Sequence, residues 1–240
     1  MYLKNCTSDD FAKLTREIDT VIIPVGSVEA HGHHCPLGTD IFSPKVLCKK
    51  INEKIGDQVW IAPGIHYGVS FELAAYPGNV TMPSDVMAEY AFWIGKSFKK
   101  TGVKNIVFLN GHGGNMTALD LAAEKIVNGC GATVLNVSWW LDFSKDILTI
   151  CSSQGHAGED ETSCMLAYDE TLVQMEKATK NLKKETCKVQ YPERGEQFFT
   201  DAITGDGTLA SKEKGEKVFE IVSDGIIEKI KLLKQRKFFE

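Results

Sequence analysis

A short β-branched run followed at once by a loop rich in metal-ligating side chains constrains the fold and function of this chain most strongly. The run Thr20–Val25 is typical of a buried strand. Residues 24–40 then hold five candidate ligands, Glu29, His31, His33, His34 and Asp40. Because ligands of open α/β sheets bind at the carboxyl ends of the strands, this order predicts a binding site at one sheet edge.

The spacing within this loop favours a metal site. Glu29 and His31 are two residues apart, so both side chains can point to one side of an extended segment. Two glycines and a proline before Asp40 allow the chain to fold back towards them. Zinc, manganese and iron(II) accept carboxylate and imidazole ligands, and one carboxylate can bridge two ions. A polar surface loop with histidines bonded to backbone carbonyls is the alternative that this pattern leaves open.

Strand-like and helix-like patterns alternate along the rest of the chain, which is typical of a parallel sheet covered by helices. Further strands are predicted at 58–62, 105–109 and 132–138. Helices are predicted at 46–55, 84–100, 115–128, from 156 onwards, and from 211 to the end, with a loop or short helix at 141–155. We expect residues 1–240 to form a single three-layer α/β/α domain with a mostly parallel central sheet.

Two further motifs supply candidate ligands. His112 lies at the apex of the glycine-rich turn 110–115, which exposes backbone N–H groups at a predicted helix start. Such a turn can also bind phosphate, but it lacks the Walker lysine and the G-x-G-x-x-G spacing. His156 and Glu161 are five residues apart, so they meet at one site only if the chain turns at residues 157–158, which Gly158 permits.

The long segment 63–83, rich in Gly, Pro and aromatic residues, is predicted to form one wall of the pocket. Tyr67 and Glu72 in this segment are candidate substrate contacts, whereas His66 is expected to be a structural hydrogen-bonding residue. Trp139 and Trp140 leave the sheet on its ligand-binding side and are also candidates, with core packing as the alternative.

The chain has a net charge of −5, from 27 Lys and Arg against 32 Asp and Glu. The two signs are interspersed, which argues against nucleic-acid or anionic-membrane partners. No apolar run reaches the ~18 residues of a membrane span. Seven cysteines without a C-x-x-C pair, and an N-terminus without a signal-peptide pattern, predict free thiols and a cytoplasmic location.

Three motifs together resemble the creatininase family of metal-dependent amidohydrolases. They are residues 26–40 (GSVEAHGHHCPLGTD), 110–115 (NGHGGN) and 156–163 (HAGEDETS). Weaker matches lie at 67–72, 76–80 and 204–210, so the resemblance spans nearly the whole chain. It implies a creatininase-like fold and two divalent metal ions, either Zn, Mn or Fe(II).

The resemblance also implies the ligand set. Glu29, Asp40 and His112 would hold one ion, and His31 with Asp40 would hold the other, so that Asp40 bridges the two. This set lacks one ligand at the second ion.

The missing ligand corresponds to position 114. Creatinine-hydrolysing members of the family carry a glutamate two residues after the histidine of the Asn-Gly-His motif, where this chain has Gly114. We expect Glu161 to replace it, which makes Glu161 both a metal ligand and, with His156, a catalytic residue.

The implied mechanism, like that of creatinine amidohydrolase, is hydrolysis of a C–N bond in a small (cyclic) amide or formamide by a hydroxide held between the two ions. The backbone N–H groups of Gly113 and Gly114 would help to stabilise the oxyanion, and His156 would donate a proton to the leaving nitrogen. His34 is expected either behind the ligands or beside the substrate, and His33 in neither role.

Because residue 114 is a glycine, the resemblance does not identify the substrate within the family. The alternatives within the family are a formylaminopyrimidine-nucleotide deformylase and a peptidase that trims a ribosomally made cofactor precursor. Outside it, a non-catalytic metal-binding protein or a nucleotide-binding protein remains an alternative. The resemblance further implies a homo-oligomer, built from dimers and extending to a hexamer.

Overall fold

A parallel four-stranded sheet forms the centre of the molecule. The computed structural model describes residues 1–187 and 189–239. The strands are β1 (Thr20–Val25), β2 (Trp60–Ile61), β3 (Asn105–Asn110) and β4 (Thr133–Ser138). They lie in the order β2-β1-β3-β4, and each neighbouring pair is parallel. A separate antiparallel pair joins β5 (Lys180–Asn181) to β6 (Gly205–Asp206).

Helices cover both faces of the sheet, as expected from the alternating pattern. Their bounds are α1 (Ser8–Leu14), α2 (Thr39–Ile55), α3 (Ser84–Lys100), α4 (Met116–Cys130), α5 (Trp139–Asp142), α6 (Ser144–Ile147), α7 (Glu159–Asp169), α8 (Arg194–Phe198) and α9 (Lys212–Gln235). Among the described residues, no helix combines the length and the apolar character that crossing a bilayer requires.

Alternation along the strands creates two separate cores. Ile22 of β1 packs with α2, α7 and α9 on one face of the sheet, whereas Val21 and Ile23 pack with α3 and α4 on the other. Burying one such side chain completely contributes roughly 1.5–3 kcal/mol, and both cores contain many of them. The expected three-layer α/β/α architecture is therefore confirmed.

The connections place a crevice between β1 and β3. From β1 the chain passes through α2 to β2, which lies beside β1 at one edge of the sheet. From β2 it returns through α3, on the opposite face of the sheet, to β3 on the other side of β1. The direction of winding therefore reverses between β1 and β3, which is where open α/β sheets bind their ligands. Val25 at the end of β1 is in register with Asn110 at the end of β3, so the two ligand-bearing turns leave the sheet side by side.

Two helices begin elsewhere than predicted. Helix α2 already begins at Thr39, so Asp40 lies in its first turn, and Pro44 is accommodated inside the helix. Helix α7 begins at Glu159 and not at His156. The three residues before it form the turn that separates the two candidate site residues of this motif.

Candidate metal centre and active site

Side chains from four segments converge at the crevice. Three groups each have their candidate ligand atoms within 4.8 Å of one another: Glu29, Asp40 and His112; His31, Asp40 and Glu161; and Glu29, His31 and His156. Asp40 belongs to two of them through different oxygens, because its Oδ2 lies 3.0 Å from His112 Nδ1 and its Oδ1 lies 3.0 Å from His31 Nε2. This is the arrangement expected of a carboxylate shared between two cations.

Many of the converging atoms lack a hydrogen-bond partner. Buried atoms without one include both carboxylate oxygens of Glu29, Asp40 Oδ2 and His31 Nε2. Glu29 Oε2 lies 3.1 Å from His112 Nδ1, yet neither this approach nor that between Asp40 and His112 has hydrogen-bond geometry. Since leaving a buried polar atom unpaired costs about 1–3 kcal/mol, a cluster of such atoms is the environment that bound cations would satisfy.

The three histidines are held in matching orientations. In each, one ring nitrogen contacts a backbone carbonyl: His31 Nδ1 with Glu29 O at 3.2 Å, His112 Nε2 with Val69 O at 2.7 Å, and His156 Nε2 with Ala30 O at 2.8 Å. A carbonyl oxygen only accepts, so this nitrogen carries the proton in the neutral ring. The other nitrogen then presents its lone pair to the carboxylates, which is how metal-ligating histidines are commonly oriented.

Burial and mutual attraction shift the pKa values of this cluster when no metal is bound. Burial opposes the charge on His31, but Asp40 and Glu161 outweigh it and raise the pKa of His31 to about 10. Burial would raise the pKa of Asp40, but His31 and His112 hold it below its usual range. Burial raises the pKa of Glu161 to about 8, against the pull of His31. The metal-free site thus holds protons where cations would bind.

His156 has different electrostatics. Burial, together with the nearby charge of His31, lowers the pKa of His156 to about 4. Its ring is therefore neutral at pH 7, with Nδ1 3.6 Å from Glu29 Oε1. Phe199 packs edge-on against this ring, with the centroids 5.5 Å apart. A neutral imidazole with a free Nδ1 can accept a proton and pass it on.

A turn between His156 and Glu161 brings both side chains to the site, but the left-handed residue is Ala157 and not Gly158. Ala157 has a φ of 52°, whereas Gly158 is extended with a φ of −79° and a ψ of −164°. The Ala157 N–H donates to Glu161 Oε2 at 2.7 Å, and its carbonyl accepts from Thr162 Oγ1 at 3.0 Å. These bonds maintain a conformation that alanine rarely adopts.

His34 lies behind this turn. Its Nε2 is 2.8 Å from Thr162 Oγ1. Since the Thr162 hydroxyl gives its proton to Ala157 O, His34 Nε2 is the donor in this contact. His34 thus connects the loop after β1 to helix α7 and does not line the cavity described next. His33, by contrast, is exposed.

A cavity of about 270 Å³ opens onto the converging side chains. Of the predicted substrate contacts, Glu72, Gly113, Gly114 and Trp140 line it. Among the described residues, Tyr67 lies outside this lining and is 53% exposed. Trp139 is also outside it, because its ring is buried in the core on the α9 side of the sheet.

The cavity also has lining residues that the sequence analysis did not single out as substrate contacts. Phe199 and Asp160 are two of them, and Arg194 lies just behind and pairs with Glu72. Phe199 and Arg194 come from the irregular segment 171–208, whose pattern carries no signal for a site. Asp160 lies beside Glu161 in the first turn of α7, and two carboxylates at the start of a helix next to a histidine motif are the signal that points to it.

Gly114 has no room for a side chain. A Cβ at this position would overlap the Val69 carbonyl oxygen and lie 2.6 Å from His112 Nε2. The glutamate that the family resemblance leads us to expect at this position therefore does not fit this backbone. Glu161 Oε2, 3.6 Å from His31 Nε2, lies where it can complete the group of His31 and Asp40.

Comparisons with known proteins agree with this architecture. The family model for creatininase, described as creatinine amidohydrolase, matches residues 4–230. The creatinine amidohydrolase of Pseudomonas putida is 26% identical over 232 residues, covering 88% of this chain and 88% of the relative. The mycofactocin precursor peptide peptidase of Mycolicibacterium smegmatis is 30% identical over 222 residues, covering 89% and 85%.

Solved structures agree as well. A crystal structure of creatinine amidohydrolase (creatininase) aligns with a TM-score of 0.82 at 25% identity, covering 95% of this chain and 96% of that one. A structure described as creatininase with Mn aligns with a TM-score of 0.79 at 25% identity and the same coverage. The resemblance expected from the three motifs is confirmed: the chain belongs to the creatininase family of amidohydrolases.

Proposed function

We propose that this protein is a metal-dependent amidohydrolase that cleaves a carbon–nitrogen bond, other than a peptide bond, in a small amide or formamide. The observation that carries the proposal is the sharing of Asp40 between two groups of ligand atoms. Glu29, Asp40 and His112 would hold one divalent ion, and His31, Asp40 and Glu161 a second. Carboxylate and imidazole ligands suit Zn, Mn or Fe(II).

Two bound ions would supply Lewis acidity for the carbonyl and would lower the pKa of the attacking water towards neutrality. The protein positions the reacting groups. His112 and His31 are fixed by their carbonyl contacts, so that their lone pairs face the carboxylates. The backbone at Gly113 and Gly114 lines the cavity at the start of α4, where N–H groups and the helix dipole favour a developing oxyanion.

His156 handles the proton in this proposal. Its neutral ring accepts a proton at Nδ1 from the attacking water and delivers it to the leaving nitrogen, while Nε2 stays bonded to Ala30 O. Phe199 and Trp140 wall the cavity beside it and restrict the access of bulk water. Proton transfer by a placed side chain contributes about 10² to 10⁴ in rate.

The test is a chromatographic turnover assay of protein loaded anaerobically with Zn, Mn or Fe(II). Creatinine and a formylaminopyrimidine nucleotide are the first substrates, and a precursor peptide tests the peptidase alternative. We expect His156→Ala to lose at least about 10² in kcat while keeping the wild-type metal content. His33→Gln, in an exposed histidine of the same loop, is the matched control and should keep full activity.

Two outcomes would contradict this assignment. Fully loaded protein that hydrolyses no amide would favour a non-catalytic metal-binding role. Loss of metal from the His156→Ala variant would make His156 a ligand through the group it forms with Glu29 and His31.

Location and assembly are part of the same proposal. All seven cysteines are free, which supports a reducing, cytoplasmic setting. Exposed aromatic side chains such as Tyr90 and Trp93 support a homo-oligomer. We propose that it is built from dimers, which can assemble further into a hexamer.

A further inference from the structure

The charged groups of the catalytic cavity all have the same sign, apart from the histidines. Five carboxylates line it: Glu29, Asp40, Glu72, Asp160 and Glu161. Among the described residues, neither Lys nor Arg lines it. Even with two divalent cations in place, the carboxylates outnumber the four positive charges that the ions bring. Part of the cavity therefore stays acidic after metal binding.

Arg194 does not offset this charge, although it lies immediately behind the cavity. Its Nη1 binds Glu72 Oε1, while its Nε and Nη2 bind Glu185 Oε1. One guanidinium is thus shared between two carboxylates, and the three side chains together carry a net negative charge. Arg194 is also buried, so its planar donor group is engaged and not available to a ligand.

Glu72 is the carboxylate that is free to meet a substrate. It lines the cavity on the segment after β2, and its side chain is 40% exposed. Among the described residues, only its Oε1 has a bonded partner, which leaves Oε2 available. Gly195 packs directly on the Glu72 backbone, with no space for a Cβ between them, so this carboxylate is held in place from behind.

Aromatic rings form the remaining walls. Phe71, Trp140 and Phe199 line the cavity together with aliphatic side chains. Ring faces attract cations and pack against flat apolar groups, whereas their negative quadrupole repels a phosphate or a carboxylate that approaches the face. The Gly113–Gly114 backbone does attract anions, but it lies where the oxyanion of the scissile group would form.

We propose that the cavity selects a compact amide that is neutral or carries a cationic group, such as an ammonium or amidinium, bound by Glu72, and that it rejects phosphorylated or carboxylated substrates. This inference rests on the proposed amidohydrolase function and narrows its substrate class. It favours an uncharged or basic amide over a nucleotide. Glu72 is the specificity-determining residue, and Arg194 is its positioning residue.

The test uses three formanilides that differ only at the para position: 4-ethyl, 4-aminomethyl and 4-carboxymethyl. With metal-loaded full-length enzyme, kcat/KM for the neutral compound should exceed that for the anionic one about two- to fivefold, and kcat/KM for the cationic compound should be higher still, because a unit charge beside a partly exposed carboxylate contributes an effect of this size. Glu72→Gln should reduce the ratio of cationic to anionic kcat/KM at least about threefold. Glu185→Gln, which removes the other carboxylate on Arg194, is the matched control and should preserve the order.

Binding of the same compounds, measured by calorimetry, separates this inference from the proposed function. Binding in the expected order without hydrolysis would refute the amidohydrolase function and support the charge selection. Equal or preferred use of the anionic compound, absence of binding by all three, or an unchanged ratio in Glu72→Gln would overturn the inference.

Discussion

Replacing Gly114 by alanine tests how tightly the site is built. The added Cβ would overlap the Val69 carbonyl oxygen and lie 2.6 Å from His112 Nε2. To restore ordinary contacts of 3.4 Å, His112 Nε2 must move by about 0.8 Å and the Val69 carbonyl oxygen by more than this, which disrupts the hydrogen bond between the two groups. Overpacking costs about 1–3 kcal/mol, and the lost hydrogen bond adds about 0.5–1.5 kcal/mol.

We therefore expect Gly114→Ala to lower the free energy of unfolding by about 2–4 kcal/mol and Tm by roughly 5–15 °C. Because a displacement near 1 Å at a catalytic group costs about 10²-fold, kcat/KM should fall by at least that factor. Calorimetric melting and the turnover assay measure the two effects. The ion held by Glu29, Asp40 and His112 should also bind more weakly.

Gly129→Ala is the matched control, because a Cβ at this helical position meets no heavy atom within 4 Å. It should raise stability by about 0.5–1 kcal/mol, as alanine does within a helix. If Gly114→Ala has the Tm and the kcat/KM of the wild type, a side chain does fit between residue 114 and Val69, and this reasoning is refuted. The steric reason for Glu161 to replace a ligand at position 114 would then be lost.

Two further predictions concern protons and the turn at Ala157. In the metal-free protein, burial lowers the pKa of His31, but the charge of Asp40 outweighs it and raises this pKa to about 10. Burial raises the pKa of Glu161 to about 8. Both groups hold a proton at pH 7 that a cation must displace, so metal affinity should rise between pH 7 and pH 10 with release of about two protons at this group. Calorimetric titration in buffers of different ionisation enthalpy measures the release, and proton uptake or a pH-independent affinity would contradict it. Thr162→Val leaves the Ala157 carbonyl oxygen unpaired, so it should lower the free energy of unfolding by about 1–3 kcal/mol. It should also weaken the binding of the ion beside Glu161 about 10- to 100-fold, measured by competition with a chelator. An unchanged metal affinity would refute this supporting role of Thr162.

The layered fold could be predicted from the sequence because β1 and β3, the two central strands, are nearly continuous apolar runs and each long helix has a buried stripe. The sequence pattern does not predict the start of α2, because Pro44 lies within this helix and proline normally argues against a helix interior. Pro44 is tolerated here, six residues into a helix whose first turn is packed against the ends of β1 and β3. That packing is a tertiary feature and leaves no local pattern.

The site could be predicted in outline for a related reason. Glu29, His31 and Asp40 lie in one short loop and first turn, so sequence spacing already brings them near each other. Adjacent residues are harder to separate: Trp139 turns into the core while Trp140 lines the cavity, and only the direction of the chain after β4 distinguishes them.

Residues contributed by irregular segments were beyond prediction. Phe199 and Arg194 reach the site only because the chain after β5 folds back over the segment after β2. The sequence predicts a turn at residues 157–158 that Gly158 permits, since glycine ordinarily adopts positive φ, whereas the structure has the positive φ at Ala157. At Ala157 the hydrogen bonds to the side chains of Glu161 and Thr162, in the first turn of α7, maintain the conformation, and no sequence pattern reveals them.

The central claim is that Asp40 is shared by two ions, and metal stoichiometry tests it most directly. Elemental analysis after anaerobic reconstitution should give two ions per chain for the wild type and for His33→Gln, one for His112→Ala, one for Glu161→Ala, and fewer than one for Asp40→Ala. A wild type that binds only one ion, or an Asp40→Ala protein that retains two, would contradict the account.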